Sequence, residues 1–448
     1  MRGFPAGIMT RRVNMSLSIL GAIICTIIFL AVLSSSKIPN FVAFFLMAPV
    51  AIYSGLLEVS DVTSRFSQNS VHLLMVIGMF SSLLGMAHVD VPISNFLAKI
   101  TGSYKGKNVE TVLLGSFIIM AGFFSWFLQN NYLTLSLLPV MFAMSKKYNI
   151  SHSKIIMMAM YATTLGGSCT LIGTNTNTYA TAILEGAGYA PLKFFDFIYT
   201  GLPCLILGAV YMVLAHGIFP DYKGEELPEE YRGDIDTTKT LTPEEHKKMV
   251  ATTAAFLAFV ASLVIASSTE IKIQPAIFGY GMMGLLMLFK IYTPKELIKT
   301  ASPNFLFQVA GTLTFVQVIS KSGISDYIGG IIAGALEGQT NMYIISAILF
   351  FGTLILTSLI ANSTCVQLLG PIAITVAEAL GANPTAFILT VAVASSCSFL
   401  TPMASATNYM LIPYTNLQFK DFIKAGLPLA IMNALACIFL LPQFFPYF

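Results

Sequence analysis

Residues 127–139 read FLQNNYLTLSLLP and residues 359–371 read LIANSTCVQLLGP. Each lies inside a long stretch, 111–145 and 338–377, that contains no Asp, Glu, Lys, Arg or His. Drawn as single helices, these 35 and 40 residues would make rods of roughly 50–60 Å, against a bilayer hydrocarbon core of about 30 Å. Each stretch therefore folds back on itself, with its polar break, Gln129-Asn130-Asn131 or Asn362-Ser363-Thr364, at the tip. Pro139 and Pro371 each follow nine residues after the Asn. Two re-entrant hairpins with tips at mid-membrane are the economical reading, because non-helical backbone at that depth is tolerated only where protein or a wet cavity surrounds it.

The match extends outward from the two tips. GGSCTLIGTNTN (166–177) is answered by SSCSFLTPMASATN (395–408), FDFIYTGLP (195–203) by FKDFIKAGLP (419–428), and SQNSVHLL (67–74) by SPNFLFQV (302–309), at offsets of 225 to 235 residues. The chain is thus read as two repeats, 1–219 and 249–448, joined by 220–248, which holds nine acidic and five basic residues and reads as a solvated cytoplasmic linker. Apolar runs predict spans near 15–33, 40–57, 70–88, 155–183, 198–217, 250–268, 273–291, 304–321, 384–413 and 426–446. The fold class that follows is an all-α membrane protein of about ten spans, each repeat holding five spans, one hairpin and one broken helix. An odd number of crossings inverts the second repeat relative to the first. With the N-terminus outside, all but seven of the 24 basic residues (Arg2, Arg11, Arg12, Arg65, Lys193, Lys272 and Lys321) face the cytoplasm, which sets both termini outside.

Composition excludes other classes. Hydrophobic residues make up 56% of the 448, charged residues only 10%, and mean hydropathy is +0.77, whereas soluble domains carry about 25% charged residues. A formal net charge of +3 spread over loops gives no basic patch for nucleic acid. The six cysteines lie in apolar stretches without a CxxC pair or a His at zinc spacing, and read as buried free thiols. Arg11 and Arg12 precede an apolar run without a small-x-small cleavage site, so Leu17 to Leu33 reads as a retained first span. No cofactor is expected.

The polar groups at the tips cost several kcal/mol each if unpaired in hydrocarbon. Helix–helix hydrogen bonding would explain isolated Asn or Ser residues, but not their recurrence beside Pro and Gly breaks. Asn130 and Asn362 can each offer an oxygen to a cation and an N–H to an anion. Ser125 and Thr357, each five residues earlier, add a hydroxyl. Segments 166–177 and 395–408 are too rich in Gly, Ser, Thr and Asn for a regular helix, and broken helices expose carbonyls at one stub and amides at the other. A Gly/Ser packing seam is the plainer alternative. The two hairpins and two broken spans contain no ionisable acid, base or His, so proton exchange and enzyme chemistry lack the residues they need. An anion carried without a buried Arg or Lys calls for bound sodium and helix N-termini to offset its charge.

These tips and breaks resemble the divalent anion/sodium symporter family of the ion transporter superfamily, over essentially the whole chain. The resemblance implies Ser-Asn-Thr tips, here Gln129-Asn130-Asn131 and Ala361-Asn362-Ser363, and Thr-Pro-Pro-Asn-like unwound segments, here Gly173 to Asn177 and Ala404 to Asn408 without the prolines. It implies a first sodium site at Ser125, Gln129, Asn130 and Gly173 and a second at Thr357, Ile360, Asn362 and Ala404, where Gln129, Gly173, Ile360 and Ala404 act through carbonyls. The anion would face Asn130, Asn131, Thr174, Asn362, Ser363 and Ser405. The family's homodimers, elevator motion, location in the cell membrane and cargo of dicarboxylate, citrate or sulfate complete the expectation. An anion exchanger or proton-coupled carrier of the same superfamily is the alternative reading, and a non-transporting membrane scaffold a more remote one.

Overall fold

The structure is a computed structural model that describes residues 6–33, 35, 37–103, 109–222, 224–229, 240–269, 273–301, 303–323 and 341–448. The described residues form helices and no strands. Three of these helices, Asn69–Met86, Pro243–Ser268 and Phe419–Phe444, are long and apolar enough to cross a membrane.

Two interrupted pairs of helices form the middle of the molecule. The stretch around the first tip runs as Val109–Phe124, a break at 125–129, then Asn130–Ser136 leading into Leu138–Tyr148. Around the second tip, Met342–Thr357 is followed by a break at 358–361 and then Asn362–Ala379. Cys365 Sγ meets the Thr353 carbonyl oxygen at 3.7 Å across the second break. Residues 338–340 of the expected hairpin lie outside the described residues. The expected spans 155–183 and 384–413 are each two helices, His152–Gly167 with Asn175–Gly186 and Pro384–Ser396 with Ala406–Leu411.

The first halves of these broken helices are the most enclosed elements. All 16 residues of His152–Gly167 are buried, as are all of Pro384–Ser396 except Thr385. Both lack a polar face along most of their length, which is what a helix packed on every side requires. Ser151 caps the first by accepting from Lys154 N–H at 3.4 Å. Asn383 caps the second by accepting from Thr385 N–H at 3.0 Å, with Pro384 at the first helical position. A separate apolar cluster joins Ala6–Leu33, Val42–Tyr53 and Pro303–Lys321 around the stacked rings of Phe29 and Phe315, 4.0 Å between centroids.

One sequence expectation needs correction. The linker 220–248 is not a solvated tether along its whole length. The Glu225 side chain is only 3% exposed and accepts from Ser151 Oγ at 2.8 Å, Ser153 N–H at 3.1 Å and Asn416 Nδ2 at 3.1 Å. Tyr222 donates to Asp421 at 2.6 Å, and from Pro243 onward the segment is helix, started by the Thr242–Glu245 capping box. The helix Asp90–Ser103 lies between the expected span 70–88 and the expected hairpin 111–145. Its Asp90 carboxylate takes a hydrogen bond from Tyr132 of the first interrupted stretch, which brings an acid to that stretch from outside its own sequence.

Candidate functional site

Each Asn at a tip sits at the start of a helix. Gln129 and Ala361 are extended (ψ 136° and 142°), and helices begin at Asn130 and Asn362. One terminal atom of the Asn130 amide lies 2.5 Å from Ser125 Oγ, 3.0 Å from Thr163 O and 3.3 Å from Gly173 O. The same atom of Asn362 lies 3.0 Å from Thr357 Oγ1, 3.1 Å from Ser395 O and 2.5 Å from Ala404 O. Ser125 Oγ donates to Thr163 O at 2.7 Å and Thr357 Oγ1 to Ser395 O at 2.8 Å, and in both cases the partners are 38 residues apart. With nitrogen turned inward, the amide donates to these oxygens. With Oδ1 turned inward, it accepts from the Ser125 or Thr357 hydroxyl and joins a group of four oxygens of the kind a cation binds. The carbonyls of Thr163 and Ser395 belong to the last turns of His152–Gly167 and Pro384–Ser396, the negative ends of those helices.

Glycine makes this closeness possible in the first half. A Cβ on Gly167 would lie 2.4 Å from Asn130 Oδ1 and 2.9 Å from the Gly173 carbonyl, and a Cβ on Gly173 would lie 2.4 Å from the Gly167 carbonyl.

Between the two oxygen groups is a cavity of about 110 Å³ bordered by residues of both tips and both helix breaks. Among the described residues, no charged side chain lines it. The helices Asn130–Ser136, Asn175–Gly186, Asn362–Ala379 and Ala406–Leu411 all begin at its wall, so their amide ends face one space. Hydrogen bonds tie its opposite walls together: Thr176 Oγ1 to Ser396 Oγ at 2.6 Å, and Thr407 Oγ1 donating to Asn131 Oδ1. Gln129 Nε2 donates to Asn175 Oδ1 at 3.3 Å.

All six residues expected to face an anion, Asn130, Asn131, Thr174, Asn362, Ser363 and Ser405, line this cavity. Of those expected to hold sodium, Ser125, Asn130 and Gly173 come together, as do Thr357, Asn362 and Ala404. Gln129 and Ile360 stand at the ends of the breaks instead. The Gln129 carbonyl accepts from Leu133 N–H at 3.0 Å, and Ile360 N–H donates to Leu356 O at 3.0 Å. Sequence reasoning missed the carbonyls of Thr163 and Ser395. The signal was available, because both stand 232 residues apart, the same offset as Asn130 and Asn362. It also missed Thr176, Ser396 and Thr407 on the cavity wall.

Comparison with known proteins gives a consistent picture. A family profile described as "Citrate transporter" matches residues 23–349 and 269–447. An uncharacterized transporter of Synechocystis is 28% identical over 208 residues, 45% of this chain, and the match spans 33% of that relative's length. The sodium-dependent dicarboxylate transporter SdcS of Staphylococcus saprophyticus is 22% identical over 351 residues, 72% of this chain and 66% of that protein. Among solved structures, MtrF of Neisseria gonorrhoeae aligns with a TM-score of 0.61 at 13% identity over 86% of this chain and 83% of that one. The YdaH transporter of Alcanivorax borkumensis aligns with a TM-score of 0.58 at 14% identity over 86% and 87%. At such identities the likeness is one of fold.

Proposed function

The chain belongs to the citrate transporter family of the ion transporter superfamily, a family of membrane transporters, and from that premise we propose that it is a sodium-coupled symporter of a small di- or tricarboxylate. One observation carries the reading. Two matched groups of oxygens, each centred on an Asn amide, flank a cavity that presents helix amide ends and, among the described residues, no charged side chain. An anion there is held by neutral donors and dipoles, and cations bound on either side supply the missing positive charge. The sodium dependence of SdcS supports the choice of ion.

The first ion is held by Ser125, Asn130, Gly173 and Thr163 and the second by Thr357, Asn362, Ala404 and Ser395. Asn131, Thr174, Ser363 and Ser405 contact the anion together with the two Asn amides. Repeats 1–219 and 249–448 lie inverted in the cell membrane on either side of the segment 220–248, which is cytoplasmic. The hairpins and broken helices move as an elevator against a frame that includes Ala6–Leu33, Val42–Tyr53 and Pro303–Lys321, in a homodimer.

Purified protein in liposomes, given labelled succinate or citrate, tests this directly. An inward sodium gradient should drive accumulation above equilibrium, and potassium in its place should not. Uptake that ignores sodium but requires an internal anion or a proton gradient would replace symport by exchange or proton coupling.

A further inference from the structure

Between the hairpin breaks and the helix breaks runs a second set of matched hydrogen bonds, of whose residues only Gly173 also lines the cavity. Thr170 Oγ1 donates to the carbonyl of Trp126 at 2.7 Å, and Thr401 Oγ1 donates to the carbonyl of Ser358 at 2.8 Å. Trp126 and Ser358 are the residues directly after Ser125 and Thr357. Each Thr is itself held from behind. Asn177 Nδ2 donates to Thr170 O at 2.8 Å, and Asn408 Nδ2 donates to Thr401 O at 3.1 Å. All four side chains are buried, Thr401 the most exposed at 8%. In the first half the hydroxyl also accepts from Gly173 N–H at 3.2 Å, so one oxygen joins the neighbour of Ser125 to Gly173. In the second half, Ala404 N–H reaches the Thr401 carbonyl instead, at 3.4 Å.

We propose that Thr170 and Thr401 are positioning residues of the two cation sites, each clamping a hairpin break to the adjacent helix break so that oxygens from separate elements stay in coordinating register. The inference rests on the symport reading above for the identity of the ion, though the clamp itself is a property of the two breaks. A cation site assembled from two elements binds only as well as those elements are held together, because any ordering left undone is charged against binding. Asn177 and Asn408 act one step further out, on the Thr backbone. The first clamp, with its bifunctional hydroxyl, controls its site more strongly than the second.

Valine keeps the shape of threonine and deletes the hydroxyl, whereas serine keeps the hydroxyl. Hydrogen-exchange mass spectrometry on reconstituted Thr170→Val should show faster exchange at residues 125–129 with 358–361 unchanged, and Thr401→Val the reverse. Thr170→Ser and Thr401→Ser should exchange like the parent. In transport assays, Thr170→Val should raise the sodium concentration for half-maximal uptake about fivefold or more, with the substrate half-saturation at saturating sodium unchanged. Valine variants with parental exchange at both breaks, with loosening everywhere, or with parental sodium half-saturation despite a loosened break would each overturn the proposal. If the parent transports without sodium while the break-specific exchange pattern holds, the clamp stands and the symport reading falls. A sodium-dependent parent without that pattern leaves symport standing and removes the clamp.

Discussion

Asn130 and Asn362 have the same surroundings by different side chains, a hydroxyl from Ser125 or Thr357 and carbonyls from Gly173 and Thr163 or Ala404 and Ser395. With no carboxylate among the described residues that line the cavity, each amide oxygen is a large share of the local negative potential. A hydrogen bond or ligand contact to a charged partner is worth about 1.5–3 kcal/mol, or roughly ten- to a hundredfold in binding. Asn130→Ala and Asn362→Ala should each lose sodium-dependent uptake in proteoliposomes while remaining monodisperse and folded; parental sodium dependence in either would remove that site. Gly167→Ala approaches the same site by shape. Its Cβ would meet both Asn130 Oδ1 and the Gly173 backbone, so sodium, expected to raise the thermal midpoint of the parent, should not raise that of this variant, even though alanine favours the helix. Under the proposed function, selectivity is expected to lie one residue further on. Asn131 Oδ1 accepts from Thr407, which leaves the amide N–H group for a substrate oxygen. Asn131→Thr with Ser363→Thr shortens that reach and should shift preference from hydroxylated anions such as citrate toward succinate or sulfate. Competition uptake would read the shift, and an unchanged ranking would show that these side chains do not set selectivity.

At the scale of elements, the segment after Phe219 does more than connect. Glu225 sits at the N-terminus of His152–Gly167, where its carboxylate faces the amide end of the helix dipole and accepts from Ser151 and Ser153, with His152 Nδ1 3.3 Å away, while Asn416 reaches it from the other half of the chain. A buried carboxylate with that many donors is stabilising only as a set, since removing it orphans every donor. Glu225→Ala should therefore cost about 1–3 kcal/mol and lower the thermal midpoint in detergent, with Glu225→Gln intermediate. Glu229→Ala, at an exposed position on the same segment, should leave the midpoint unchanged. Equal midpoints for Glu225→Ala and Glu229→Ala would mean that the segment is not docked in solution. Lys154, buried to 3%, is handled similarly, with Glu110 from Val109–Phe124 beside its ammonium group. Both pairs lie at the same end of His152–Gly167 and fasten the outer ends of the site-bearing elements, whose inner ends carry the oxygens.

For the whole molecule, the proposed orientation in the membrane rests on charge. An external N-terminus would put all but seven of the 24 basic residues on one side, which predicts that the segment carrying Glu229 is cytoplasmic. All six cysteines are buried and free, so a single introduced thiol reports without background. Glu229→Cys should resist an impermeant maleimide in intact cells and react after permeabilisation. Labelling from outside intact cells would invert the whole arrangement and place both termini in the cytoplasm.

Much of this was legible in the residues themselves. Apolar runs longer than a bilayer can accept, interrupted at Asn130 and Asn362, required the breaks. The recurrence of those breaks 232 residues apart pointed to a paired site, because polar side chains at membrane depth are costly unless they meet one another or an ion. The polarity of the tips and the lack of an ionisable group in the four stretches were likewise local properties. What only the tertiary structure decided was everything supplied by backbone carbonyls and by approach. Any residue carries a carbonyl, so nothing in the letters Thr163 or Ser395 says that their oxygens turn toward an Asn amide 33 residues away in the chain. Nor does composition distinguish a charged segment in water from one whose Glu225 is almost wholly covered, since the donors that make burial tolerable come from Ser151, Ser153 and Asn416, and folding alone brings them together.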